Sequence, residues 1–96
     1  MSKWNLTTNS PKESGDYITV SRGKGVDGYY YSIPKTMMYS KKYDAWNAYD
    51  GDDGAVNSIP DLRNAPDELY NSCVFAWAEI EPLTAEEIAE LEKGVA

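Results

Sequence analysis

Cys73-Val74-Phe75-Ala76-Trp77-Ala78-Glu79-Ile80 decides how this 96-residue chain folds. Apolar side chains occupy both alternating sets of positions, so a strand here has two covered faces and belongs in the interior of a sheet. Its sole cysteine, Cys73, reads as a small core residue within that run, since one thiol supplies neither an internal disulfide nor a multi-thiolate zinc site. A second strand is read from Asp16-Tyr17-Ile18-Thr19-Val20-Ser21-Arg22, where β-branched and aromatic residues alternate with polar ones. Ile18 and Val20 share one face, while Tyr17, Thr19 and Ser21 take the other.

Working outward, Gly23-Lys24-Gly25-Val26-Asp27-Gly28 reads as a hairpin connection, because glycine reaches positive φ without steric cost. It matches neither the Walker pattern nor the dinucleotide fingerprint, which excludes those phosphate-binding loops. Tyr29 to Ile33 has strand propensity and stops at Pro34, which cannot donate to a ladder. Thr36 to Ser40, a turn at Lys41 to Asp44, and a returning strand from Ala45 to Tyr49 complete an expected antiparallel meander. Residues 50–71 read as an acidic loop insert, with a short helical turn near Pro66 to Tyr70. The C-terminal segment carries four helix signals. Thr84 and Glu87 form a capping box, Leu83 and Ile88 a staple, Ile88 and Leu91 an apolar stripe, and Gly94 a stop. The expectation is an α+β, mostly β, single domain over residues 1–96. It holds a small antiparallel sheet of four to five strands within 15–80 and a weakly docked helix over 85–93.

Composition narrows function more by absence than by presence. No His occurs, which removes Ser-His and Cys-His catalysis and imidazole metal ligation. The expectation is therefore no enzyme and no cofactor. The net charge of −7 divides unevenly: residues 1–43 carry seven bases against three acids, and residues 44–96 two bases against thirteen acids. That acidity disfavours direct nucleic-acid binding, where phosphate contacts supply most of the non-specific affinity. A solvated acidic face that aids solubility accounts for the same residues. The N-terminus has no apolar signal core and no long apolar run occurs, so a soluble intracellular chain without membrane association is expected.

Asp44, Asp50, Asp52 and Asp53 form a carboxylate cluster of the kind that gathers Ca²⁺ or Mg²⁺ when a loop converges it. The EF-hand pattern fails. With Gly54 at its sixth position, Tyr49 and Gly51 fall on ligand positions, and Pro60 stands where a bidentate Glu belongs. Eight tyrosines are present, six of them between positions 29 and 49. Tyr29-Tyr30-Tyr31 cannot all face a core, which leaves aromatic surface beside Lys35, Lys41 and Lys42.

Taken together, Trp4, the Pro11 to Gly15 turn leading into Tyr17-Ile18-Thr19-Val20, a Tyr39 to Trp46 hairpin, and Val74-Phe75-Ala76-Trp77 followed by Glu81-Pro82 resemble a small phage and prophage domain family of unknown function. The resemblance covers residues 4–82. The acidic insert between Trp46 and Cys73 and the added helix depart from it. It implies a compact sheet with Trp4, Trp46 and Trp77 in or beside the core, and a location in the bacterial cytoplasm. It carries over no reaction. The functional expectation is a phage-encoded module that binds a host or phage protein. One form is an inhibitor of a nucleic-acid-handling defence enzyme, anti-CRISPR-like, acting through an acidic phosphate-mimicking surface. The candidate contact residues are Asp50, Asp52, Asp53, Asp61, Asp67, Glu68, Tyr30 and Tyr43. The alternatives are a metal- or small-ligand-binding module using the Asp50 to Asp53 loop, and an accessory domain. The oligomeric state is left open.

Overall fold

The computed structural model describes residues 3–64 and 72–95. Among these residues it is mostly sheet with one short helix, as expected. The elements in chain order are β1 (Asn5–Leu6), β2 (Gly15–Gly25), β3 (Gly28–Tyr31), β4 (Lys35–Ser40), β5 (Ala45–Trp46), β6 (Ser72–Glu79) and α1 (Ala85–Glu92). The sheet runs β1-β6-β2-β4-β5, with β3 also paired to β2. The apolar run around Phe75 is central, lying between β1 and β2.

A simple meander is not what forms. β2 extends to Gly25, and its whole length is used: Arg22–Gly25 pair with β3 and Gly15–Thr19 with β4, both on the same edge. The expected six-residue glycine loop shrinks to Val26-Asp27, because Gly23 and Gly25 belong to the strand. A Cβ on Gly23 would sit 2.3 Å from the Tyr30 ring, so this glycine provides a flat seat for a cross-strand tyrosine. Pro34 falls where β3 ends and β4 has not begun, and the pairing register shifts by one residue there. β6 shifts by one residue on the opposite edge of β2, between Val20 and Ser21, which leaves Phe75 as the extra residue. Both neighbours of β2 thus gain a residue at nearly the same level. Such irregularities raise the local twist and bend the sheet.

The aromatic core lies on one side of the bent sheet. Tyr17, Met37, Tyr39, Trp46, Val74 and Trp77 form the core there, closed over by Ile59. Rings meet edge-on, Tyr17 against Trp77 at 5.1 Å and against Trp46 at 6.1 Å, an arrangement favoured by the ring quadrupoles. Trp46 and Trp77 are buried and Trp4 is half-buried. The polar residues Thr19 and Ser21 lie on this same side and are satisfied. Thr19 Oγ1 donates to Lys35 O at 3.0 Å, and the Ser21 amide donates to Ser32 Oγ at 2.9 Å.

Three further expectations change. The returning strand stops at Trp46, since Asn47 takes a left-handed φ of 61° and its amide donates to Met38 O at 2.7 Å. Strand β1 had no sequence signal. It exists because Thr7, through its amide and hydroxyl, donates to the carbonyls of Phe75 and Val74 on β6. The acidic insert is partly a strap: Ile59 bridges to Trp46, and Asp61 bridges in parallel to Val74. The anticipated turn near Pro66 to Tyr70 lies outside the described residues. Helix α1 has its capping box, with Thr84 and Glu87 each bonding the other's backbone amide at 3.0–3.1 Å, but none of its residues is buried.

Truncating Trp46→Ala removes the side chain at the centre of this cluster and should cost about 3–5 kcal/mol in urea unfolding, whereas Leu91→Ala in α1 should cost under about 0.5 kcal/mol in dilute solution.

Candidate functional site

The acidic residues singled out in the sequence divide into those the fold consumes and those it leaves in water. Asp50 belongs to the first group. Its carboxylate accepts from Ser14 Oγ at 2.8 Å, Ser40 Oγ at 2.7 Å and the Lys42 amide at 3.3 Å, tying the turn before β2 to the end of β4. Hydrogen bonds from Ser40 and Ser14 hold its carboxyl below the usual range. Ser14 Oγ in turn accepts from the Lys41 amide at 2.7 Å, which closes the junction.

Asp61 is likewise structural. It is 2% exposed, and its carboxylate accepts from the Arg63 amide at 2.9 Å, from the Asn64 amide at 3.3 Å, and from the Arg63 guanidinium. The same guanidinium reaches Asp44 at 2.8 Å and Ser10 Oγ at 2.8 Å. Asp44 also accepts from the Tyr39 hydroxyl and from Ser10 Oγ at 3.0 Å. One arginine therefore joins the acidic strap, the turn before β5 and the N-terminal segment. Burial works to raise the Asp44 carboxyl, but donation from Tyr39, Arg63 and Ser10 outweighs it and leaves the group lowered. Burial, followed by the hydrogen bond to Asp44, pushes Tyr39 up to about 12. The two flanking carboxylates raise Arg63 further above its already high value. Burial raises the Cys73 thiol, as fits a core residue.

Asp52 and Tyr43 hold each other's loop: the Tyr43 hydroxyl donates to Asp52 O, and the Asp52 carboxylate accepts from the Tyr49 amide at 3.2 Å. Asp53 is exposed. Tyr30 lies across Gly23 on the edge strand with half its surface in water. Asp67 and Glu68 lie outside the described residues. Among the described residues no three Asp, Glu or Cys side chains converge as a metal site would require, because Asp44, Asp50 and Asp52 each turn to different protein donors.

Two features were not singled out by sequence reasoning. A polar cleft of about 710 Å³ lies between the N-terminal segment and the end of β6, floored by Tyr17 and Trp77 and rimmed by Asn5, Lys12, Glu13 and Glu79. Its walls are already committed, since the Trp77 indole donates to Asn9 O at 2.7 Å and the Tyr17 hydroxyl to Glu13 O at 2.8 Å. The second is the cluster on the other side of the sheet, where the Arg22 guanidinium stands 4.0 Å from the Tyr29 ring centre and 4.9 Å from that of Phe75. Tyr31 meets Phe75 edge-on at 5.4 Å. The β2–β3 register places the tyrosines beside Arg22 and the bulge adds Phe75, an approach that no spacing in the sequence marks.

Among the described residues, no helix is long and apolar enough to cross a membrane. Neither a protein-family model, nor a curated protein, nor a solved structure matches the chain.

Replacing Arg63→Gln leaves Asp61 buried without its counter-charge and should destabilise the fold by about 3 kcal/mol in chemical denaturation. Asp44 and Asp50, lowered in the fold, add stability that is present above the ordinary carboxylate range and is lost as pH falls through their folded values. Tyr39 acts at the other extreme. Stability is full below pH 10 and falls as pH rises from there to about 12, by about 3 kcal/mol in all, which a tyrosinate absorbance titration run alongside circular dichroism would show.

Proposed function

We propose that this chain is a non-enzymatic protein-binding module whose contact surface is acidic, and that its partner is a protein with a basic, phosphate-accepting groove. The observation that carries this reading is α1. Glu86, Glu90 and Glu92 stand on an exposed helix, whose Glu87 serves the cap. Among the described residues their sole ion pair is the exposed one between Glu90 and Lys93 at 3.2 Å. Carboxylates left in water on a preformed scaffold are available to substitute for phosphates, and long-range attraction to a basic groove speeds encounter. Helix-in-groove docking is a common mode for such an element.

This reading moves the contact away from some residues that the sequence suggested. Asp50 and Asp61 are occupied in holding the sheet and strap, so a partner gains little from them. Asp53, Glu86 and Glu90 are the residues on which binding depends. Inhibition of a host nucleic-acid-handling defence enzyme by a phage-encoded protein is the biological form this surface suits.

The triple variant Asp53→Lys, Glu86→Lys, Glu90→Lys should keep the wild-type circular dichroism spectrum and lose capture of nucleic-acid-binding proteins from a bacterial lysate. Wild-type capture should be competed by duplex DNA and weakened by salt. Capture that charge reversal and DNA both leave unchanged would remove the proposal.

A further inference from the structure

The polar cleft between the N-terminal segment and the end of β6 lies apart from the acidic helix, since no residue of α1 lines it. At about 710 Å³ it has room for a small ligand or a protruding side chain. Tyr17 and Trp77 form its floor, their ring centres 5.1 Å apart and their planes at 74°. Rings set that steeply make a corner, not the flat platform on which a base stacks. By register Tyr17 and Glu79 are direct partners across β2 and β6, so Glu79 shares the ring's side of the sheet. Glu13 enters the lining from the turn before β2.

What the cleft offers a ligand is set by which of its groups are already spent. Both ring donors are, the Trp77 indole on Asn9 O at 2.7 Å and the Tyr17 hydroxyl on Glu13 O at 2.8 Å. The acceptors remain. Among the described residues the Glu13 and Glu79 carboxylates enter no hydrogen bond or ion pair, and the Tyr17 oxygen keeps its lone pairs. Both carboxylates are felt at the Tyr17 hydroxyl, which burial pushes up first and the charges of Glu79 and Glu13 push up further. A phosphate or carboxylate entering here would meet like charge, and a neutral ligand would shield the two acids from water without supplying a counter-charge. A primary ammonium brings three donors and no acceptor, and its charge also suits the faces of Tyr and Trp rings. Lys12 on the rim is the one cation in the lining, and it is bonded to neither carboxylate.

We infer that this cleft is a binding site for a primary ammonium group, carried by a free alkylamine or by the lysine side chain of a protein partner. The aromatic corner of Tyr17 and Trp77 receives the charge, and Glu13 and Glu79 accept the N–H groups. Lys12 is then a competitor for the same acceptors, and its removal favours the ligand. The site is independent of the acidic surface on α1, which contributes nothing to its lining.

Titrating the isotope-labelled full chain with n-propylammonium chloride should shift the Trp77 indole N–H resonance saturably, while sodium propionate and glucose at the same concentrations leave it in place. Nα-acetyl-lysine methylamide tests the second source. Binding tighter than that of n-propylammonium assigns the site to a protein side chain, and weaker binding assigns it to a free amine. Glu79→Gln should weaken the ammonium about tenfold, the loss of one charge-assisted hydrogen bond, and the double variant Glu13→Gln, Glu79→Gln should abolish saturation. Both side chains are exposed and bonded to nothing else among the described residues, so these variants should keep the wild-type circular dichroism spectrum and unfolding midpoint. Lys12→Ala should tighten binding severalfold; weaker binding would mean that Lys12 holds an anionic group of the ligand, and would overturn the assignment to a simple amine. No saturable shift with either amine, an equal response to propionate or glucose, or ammonium binding unchanged in the double variant would each overturn it as well. The Asp53→Lys, Glu86→Lys, Glu90→Lys variant should bind n-propylammonium as wild type does, so loss of partner capture and loss of ammonium binding are read separately.

Discussion

The long antiparallel pairing of β2 with β6 is the constraint on which the rest of the structure depends. The paired residues lie 49 (Gly23 with Ser72) to 62 (Tyr17 with Glu79) positions apart, so this pairing carries a larger closure entropy than those of β2 with β3 and β4. Once they pair, everything else has an address. β6 presents one edge to β1 and the other to β2, and β2 uses its free edge twice, for β3 and for β4. A sheet with its last strand in the middle folds as a whole, because no hairpin within it buries an aromatic face alone. The irregularity at Val20 and Phe75 then sets the curvature that lets Tyr17 touch both Trp46 and Trp77.

Acidity in the second half of the chain has two different physical roles. Near the core, carboxylates replace missing secondary structure. The segment from Asp44 to Asn64 has little ladder pairing, and its turns are held by Asp44, Asp50 and Asp61 accepting amide, hydroxyl and guanidinium donors. Among the described residues no buried side-chain polar atom is left without a partner. In α1 the same residue type bonds only its own helix, Glu87 at the Thr84 cap and Glu90 to Lys93, and ties down no other element. A count of charge treats both groups alike, and only their hydrogen-bond partners separate an acid that binds its own chain from one free to bind another.

What the sequence made legible follows from the range of the forces involved. The helix was readable to within a residue, from Thr84, Glu87 and Gly94, because capping is local. The central placement of Cys73 to Glu79 was readable because burial on both faces erases alternation. Strand β1 and the shortened β5 were not, since two-residue strands are imposed by a partner, Phe75 in one case and Tyr39 in the other. Gly23 was misread as a turn residue because a glycine needed for positive φ and one needed to seat a ring look identical in sequence. The roles of Asp50 and Asp61 depended on Ser14, Ser40 and Arg63, whose approach follows from topology rather than spacing.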